Sequence, residues 1–419
     1  MRPLAASTAW RAPPLGYEAT NLYSTIAIVV AGLVAVGILL APRVRRSSTW
    51  SATVTPLASI IGSGFLVLGP LLVREYGTLA PVVMLVLCAL AYGFGSALRY
   101  NIRYAESLAD ADAPSGFQTL EMLSRAVLAG AYVVSVCYYL NLLGSFAVSL
   151  TAWDTTTNAR IVSSVVLGVI GVVSVAGGLK RLESAEALAV TIKLAIVTSF
   201  LVGMGIYAGT LWTSDGIPSN PVPPMGWHGL FLVFGLVICV QGFETSRYLG
   251  EEYDADTRIR TMKLAQWVAT IIYVVYVVLL TLAFEGVSLE TDETAIIHLS
   301  QVMNPMLPVM LVVAAFAAQF SAAVADTVGC GGLVVEISSR RVHATAGYMA
   351  VVAGGFLLTW TADVFEIIAY ASRAFAVYYA AQAAIATLLA AQRRSAKAFF
   401  FGAMALLGVA MALFGIPAE

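Results

Sequence analysis

Residues 21–41 read NLYSTIAIVVAGLVAVGILLA, with no charged side chain, and runs of this kind recur along the whole chain. An uncharged apolar stretch of about 20 residues is the length of helix that crosses a bilayer, because each helical residue rises about 1.5 Å. Lipid offers no water to backbone groups, so only helices and closed barrels can span it. Barrel strands would show about ten residues of alternating polarity, and these runs do not alternate. The chain therefore reads as an all-α polytopic membrane protein. Its spans fall near 22–41, 51–73, 79–98, 126–150, 160–178, 184–209, 229–248, 264–284, 305–335, 344–360, 364–391 and 398–416, about twelve helices in all. Composition agrees: 59% of the residues are hydrophobic and 11% charged, against about 25% charged in a soluble domain.

Lys and Arg set the expected orientation, since they accumulate in cytoplasmic loops. With the N-terminus outside, seventeen of the 23 basic residues fall in inside loops: Arg43, Arg45, Arg46, Arg99, Arg103, Arg125, Lys180, Arg181, Arg247, Arg258, Arg260, Lys263, Arg340, Arg341, Arg393, Arg394 and Lys397. Only Arg2, Arg11, Arg74 and Arg160 fall outside, and Lys193 and Arg373 remain within the spans. The expected location is an inner or plasma membrane. A signal peptide would carry a shorter apolar region behind its basic residues. Here the basic cluster PRVRR follows the first run, which reads as an uncleaved anchor. The four cysteines, Cys88, Cys137, Cys239 and Cys330, all lie in spans and lack metal-ligand spacing; they read as packing residues.

Two spans are interrupted. The one beginning near 51 reaches IIGSGFLVLGP, and the one beginning near 229 reaches VICVQGFETSRY. Five helices separate their starts, so one enters from the cytoplasm and the other from outside. That is the layout of a five-plus-five inverted repeat with a binding site at the midplane, where both helices unwind.

The IIGSGF run, the Tyr104-Ala105-Glu106 and Pro114-Ser115-Gly116 pattern, and QGFETSRYLGEEYDADTRIR together resemble the amino acid, polyamine and organocation (APC) transporter superfamily. The resemblance covers roughly residues 51–392. It implies a leucine-transporter-like core with interrupted core helices 1 and 6, preceded here by one extra helix and followed by one more. The expected division is 1–50, an outside N-terminus and extra helix; 51–209, the first repeat; 210–392, the second; and 393–419, the last helix and an outside C-terminus. The Asn-Pro usual in the family after the acidic pair Glu251 and Glu252 is missing.

The breaks define the expected substrate site. At Ile61, Gly62, Ser63, Gly64 and Phe65, freed N–H groups and a half-helix N-terminus suit a carboxylate, with the Ser63 hydroxyl as a further donor. At Val240, Gln241 and Gly242, freed carbonyls suit an ammonium. Phe243 and Phe65 would shape or close the side-chain pocket, as aromatic gates do in relatives. The competing explanation of the glycines is close helix packing. Tyr138, Tyr139, Asn141, Tyr370, Tyr378 and Tyr379 read mainly as packing residues.

Charge inside a membrane is costly and marks function by default. Lys193 lies about ten residues, or roughly 15 Å, into core helix 5. Its place resembles that of the lysine whose ammonium stands in for sodium in proton-coupled, sodium-independent APC carriers. Asp326, at matching depth, is expected to pair with it, with Ser321 and Thr327 as hydroxyl ligands of the cation site. Glu244 and Arg373 also share a depth and are expected to pair; Glu244 reads alternatively as a proton acceptor or as a ligand for a cationic substrate.

No catalytic unit assembles, because His228, His298 and His343 fall apart at helix ends. The EEYDAD stretch lacks the glycine and spacing of an EF-hand. No metal site, cofactor or nucleic-acid partner is expected, and the chain does not read as an enzyme. Channels show filter repeats or charged rings, which are missing. The reading is a secondary active transporter taking up an amino acid or related amine with protons. The alternative is an amino acid or polyamine exchanger without proton coupling; a sensor or channel ranks below both. Its partners would be the solute, protons and membrane lipid, with the oligomeric state open.

Overall fold

A computed structural model of the chain describes residues 17–62, 64–106, 108, 113–176, 186–214, 216–224, 226–250, 252–286 and 292–418. Ser63, Lys180, Arg181 and Glu251, singled out above, lie outside the described residues. The apolar runs form helices α1 (Tyr17–Leu40), α3 (Ser48–Ile60), α4 (Gly64–Tyr76), α5 (Ala80–Tyr104), α6 (Phe117–Val148), α7 (Thr156–Val175), α8 (Glu186–Ser214), α9 (Trp227–Gly235), α10 (Ala255–Ala283), α12 (Leu307–Ile337), α13 (Ala344–Thr361), α14 (Val364–Gln392) and α15 (Lys397–Phe414). Two short helices, α2 (Pro42–Arg45) and α11 (Ala295–Met303), lie in connections. No strand occurs among the described residues.

Among the described residues, ten segments are long and apolar enough to cross a membrane. The difference from twelve falls on the two interrupted runs. The first is split into α3 and α4, and α4 continues through the turn Gly77–Leu79 into α5. The second is divided into α9 and the 3-10 segments Val237–Val240 and Phe243–Tyr248, none of which alone spans the bilayer.

Side-chain caps fix several helix starts by satisfying N–H groups that have no helical partner. Ser47 accepts from Trp50 N–H, Thr155 from Asn158 N–H, and Asp363 forms a reciprocal box with Glu366. Asp254 caps α10, and its bonds from Thr257 hold its carboxyl below the ordinary range. The acidic stretch thus starts a helix, and Asp256 pairs with Arg103.

Packing falls into two groups. Helix α6 is central to one, against α7, α12 and α13; α10 is central to the other, against α3, α4, α5 and the segment 243–248. Helix α14 packs against both α6 and α5, and α15 covers α14. The basic loops gather at one end, where Arg125 meets Glu336, Arg260 donates to the Thr49 hydroxyl and Arg393 lies over Tyr104. Arg99, assigned above to a loop, is instead buried inside α5, donating to Gln266 and to Tyr92 O.

Helix α1 runs beside α8. The Ser199 hydroxyl donates to Ile28 O at 2.9 Å, and the Asn304 amide, beyond α11, donates to the hydroxyls of Ser24 and Thr25 at 3.2 and 2.7 Å. The other side of α1, including Leu22, Leu33 and Ile38, is exposed, as a lipid-facing surface would be.

Candidate functional site

The two breaks lie back to back. A Cβ on Gly64 would stand 2.8 Å from Cys239 Cα, and one on Gly242 would stand 2.5 Å from the Ser59 carbonyl carbon. Gly242 also holds φ +119°, where a side chain is strained. Both glycines therefore serve the close approach of backbones offered above as the competing explanation. Gly62 differs: its Cβ would meet only Ser59 O at 3.4 Å, an ordinary contact.

Backbone groups freed at the breaks find side-chain partners, as buried polar groups must. Tyr273 of α10 directs its hydroxyl at Ile60 O (2.8 Å) and Cys239 O (2.7 Å), tying both interrupted helices to one point. Ile238 N–H donates to the Ser372 hydroxyl of α14 at 3.1 Å. Gly242 O is already engaged by Thr245 N–H and by the Thr245 hydroxyl, at 3.4 and 2.8 Å. Ile61 and Val240 are buried in the apolar core. Phe65 packs on Tyr276 and Tyr273, with ring centroids 4.3 and 5.6 Å away, while Phe243 stacks on Tyr379 at 5.2 Å.

Lys193, 5% exposed, donates from Nζ to Ala58 O at 2.7 Å. That carbonyl belongs to the last turn of α3, where unpaired C=O groups and the negative end of the helix dipole favour a cation. A small cavity beside it, with room for a water molecule but not for an amino acid, is lined by Ala58, Ser59, Lys193, Ser321 and Ala325. Ser321 and Lys193 are thus brought together. Thr327 is not among the lining residues; it is buried and donates back to Ala323 O.

Neither expected ion pair forms. Asp326 accepts from the Ser135 hydroxyl of α6, not from Lys193. Arg373 donates from Nε to Gly415 O at 2.7 Å, at the carboxyl end of α15. Glu244, 2% exposed, accepts Gly242 N–H at 3.0 Å and the Tyr379 hydroxyl at 2.8 Å. Equal depth along a span does not make two side chains face each other, and orphan carbonyls at helix ends took both cations.

Tyr139 and Tyr379, read above as packing residues, bond polar side chains of the second break. Gln241 donates to the Tyr139 hydroxyl at 3.4 Å and accepts from Tyr379 at 3.2 Å. Ser135 and Tyr273 were not singled out at all. A signal for the first lies in the sequence: Tyr132, Ser135 and Tyr139 recur at helical spacing on one face of α6.

Interrupted helices meeting inside a bundle of membrane-spanning helices, with charged side chains buried around them, define an integral membrane protein of transporter type. Residues 42–415 match a family described as APC superfamily transporter. An "Uncharacterized protein" of Aquifex aeolicus (strain VF5) is 40% identical over 386 residues, covering 91% of this chain and 94% of that one. The chain belongs to the APC superfamily of transporters, and α1 precedes the matched region.

Proposed function

We propose that the protein carries an amino acid or related amine across an inner or plasma membrane by alternating access, with its N-terminus outside and with proton movement coupled to the solute. The observation that carries this reading is the meeting of the two breaks, with Gly64 against Cys239 and Gly242 against Ser59. Freed N–H groups at the start of α4 and the polar groups of Gln241 and Glu244 then border one place, suited to a small polar solute. The two packing groups, α3–α5 with 237–248 and α10 against α6, α7, α12 and α13, take corresponding elements from each half of the chain. A five-plus-five repeat across 51–209 and 210–392 would produce that division.

In this reading Ile61 to Phe65 and Val240 to Glu244 surround the substrate, and Lys193 with Ser321 holds the place of a cation. An exchanger without proton coupling is the second reading; the bond from Lys193 to Ala58 O favours it, because it fits a permanent strut between α8 and α3. The test is transport by the purified protein in liposomes. Accumulation that collapses with a protonophore supports proton coupling. Flux that persists and requires solute inside the vesicle supports exchange. No flux of amino acids or amines by folded protein refutes the substrate class.

A further inference from the structure

Arg99 is 5% exposed inside α5, and its partners among the described residues are uncharged. The guanidinium bonds Gln266 of α10 and, at 3.3 Å, Tyr92 O, and it lies 4.5 Å from the centre of the Tyr92 ring. These bonds draw it along α5 away from the basic end, whereas a long basic side chain ordinarily reaches out toward water. Gly95 makes the room: a Cβ there would stand 2.9 Å from an Arg99 Nη and 2.5 Å from the Gln266 amide nitrogen. A buried cation without a counter-charge is costly, and charge at membrane depth marks function by default.

The surface beside Arg99 has the chemistry of an anion that the membrane itself supplies. Helices α5 and α10 run antiparallel, with Gly95 against Gln266 and Arg103 against Asp256. Lys263 falls between those points, at the level of Arg99, and is exposed. Trp267, one turn farther along the same face of α10, is 57% exposed, and its ring lies 5.9 Å from that of Tyr92. Beyond the two rings, Ile271 on α10 and Leu85 on α5 are 59% and 52% exposed. Positive charge, aromatic rings and bare apolar surface thus follow one another along one groove. A phospholipid presents its phosphate, its glycerol esters and its acyl chains in that order, and aromatic rings favour the middle level. Carboxylates at the rim are already engaged, Asp256 by Arg103 and Glu106 by Arg258. Arg260, one turn before Lys263, adds a further cation and donates to the Thr49 hydroxyl.

We propose that the groove between α5 and α10 binds an anionic phospholipid from the leaflet at the basic end. Its phosphate lies on Lys263 with the Arg99 guanidinium behind it, its glycerol region on Trp267 and Tyr92, and an acyl chain along Ile271 and Leu85. The phosphate supplies the counter-charge that the protein does not give Arg99. A zwitterionic lipid, whose own ammonium neutralises its phosphate, fits the groove less well. The bound lipid fastens α5 to α10, the helix whose Tyr273 holds both breaks. The site is separate from the solute site and does not depend on which solute is carried.

The test uses the purified full-length protein in phosphatidylcholine vesicles. A rising fraction of either phosphatidylglycerol or phosphatidylcholine, brominated on the acyl chains, is included. Bromine quenches tryptophan fluorescence on contact, and the Trp267 signal is the difference between the wild type and Trp267→Phe. Brominated phosphatidylglycerol is expected to quench Trp267 at about one tenth of the fraction that brominated phosphatidylcholine needs, because each basic residue at a lipid surface favours an anionic lipid by about fivefold. Added salt should shrink the preference. Lys263→Gln, an exposed change checked by melting, should reduce the preference by about fivefold. Arg99→Met should reduce it as well, and Lys263→Gln decides the matter where that variant does not fold. Equal quenching of Trp267 by the two lipids overturns the proposal, as does a preference that Lys263→Gln leaves intact.

Discussion

Gly242 and Gly62 make a controlled pair at the scale of single residues. Gly242→Ala meets both a positive φ and the Ser59 backbone, a collision with nothing flexible to move. Strain of this kind costs about 1–3 kcal/mol before the clash is added, so loss of the folded, monodisperse protein on size exclusion is expected. Gly62→Ala has room, and its melting temperature should stay at the wild-type value; an unchanged Gly242→Ala or an unfolded Gly62→Ala would contradict this geometry. The sequence marks both as glycines in a break, but which one is sterically fixed depends on residues about 180 positions away in the chain. Charge pairing was illegible for the same reason. Lys193, Glu244, Asp326 and Arg373 were found by the cost of their burial, whereas their partners, Ala58 O, Tyr379, Ser135 and Gly415 O, depend on helix rotation and on where neighbouring helices end.

Interrupted helices need an outside support, and α10 provides it through Tyr273. One hydroxyl serves Ile60 O and Cys239 O, so Tyr273→Phe leaves two buried carbonyls without that partner. A loss of about 1–3 kcal/mol is expected, seen as a lowered melting temperature; wild-type stability would mean that the carbonyls find other donors. The two breaks themselves were legible from Gly-rich runs, but α11 was not, because its nine residues are too few to register as a span. Its approach ends in Glu293, which accepts the Ser145 hydroxyl of α6 at 2.6 Å. Burial is the largest influence on this loop carboxyl and pushes it up to about 6. A folded-state value above the unfolded one means that the folded protein holds the proton more tightly, so stability rises as pH falls through about 6 toward the ordinary carboxylate range. Melting temperatures across that window should rise on acidification in the wild type and stay flatter in Glu293→Gln; parallel curves would remove Glu293 as the cause.

For the whole molecule, the alternating access proposed above would require the two packing groups to separate at one end at a time, and the basic end is fastened across them. Arg247, just past the second break, bonds Glu121 of α6 and Gln382 of α14; Gln382 in turn accepts from Asn101 of α5 at 2.8 Å and donates to Ser124 at 2.6 Å. Arg258 of α10 holds Glu106, beyond α5, and Arg247 O. Removing one member of a buried ion pair strands the other charge, at a cost of about 3–5 kcal/mol in the state that buries it. Glu121→Gln therefore destabilises the state closed at this end more than a state that lets water reach Arg247. Ser321, lining the cavity beside Lys193, is a suitable reporter, because the four native cysteines are buried. In a Ser321→Cys background, Glu121→Gln should raise the rate of maleimide labelling by at least about tenfold, the equivalent of roughly 1.4 kcal/mol. Equal labelling in both proteins, with both folded, would show that separation of the groups does not depend on this ion pair and that the other contacts of the basic end hold it closed.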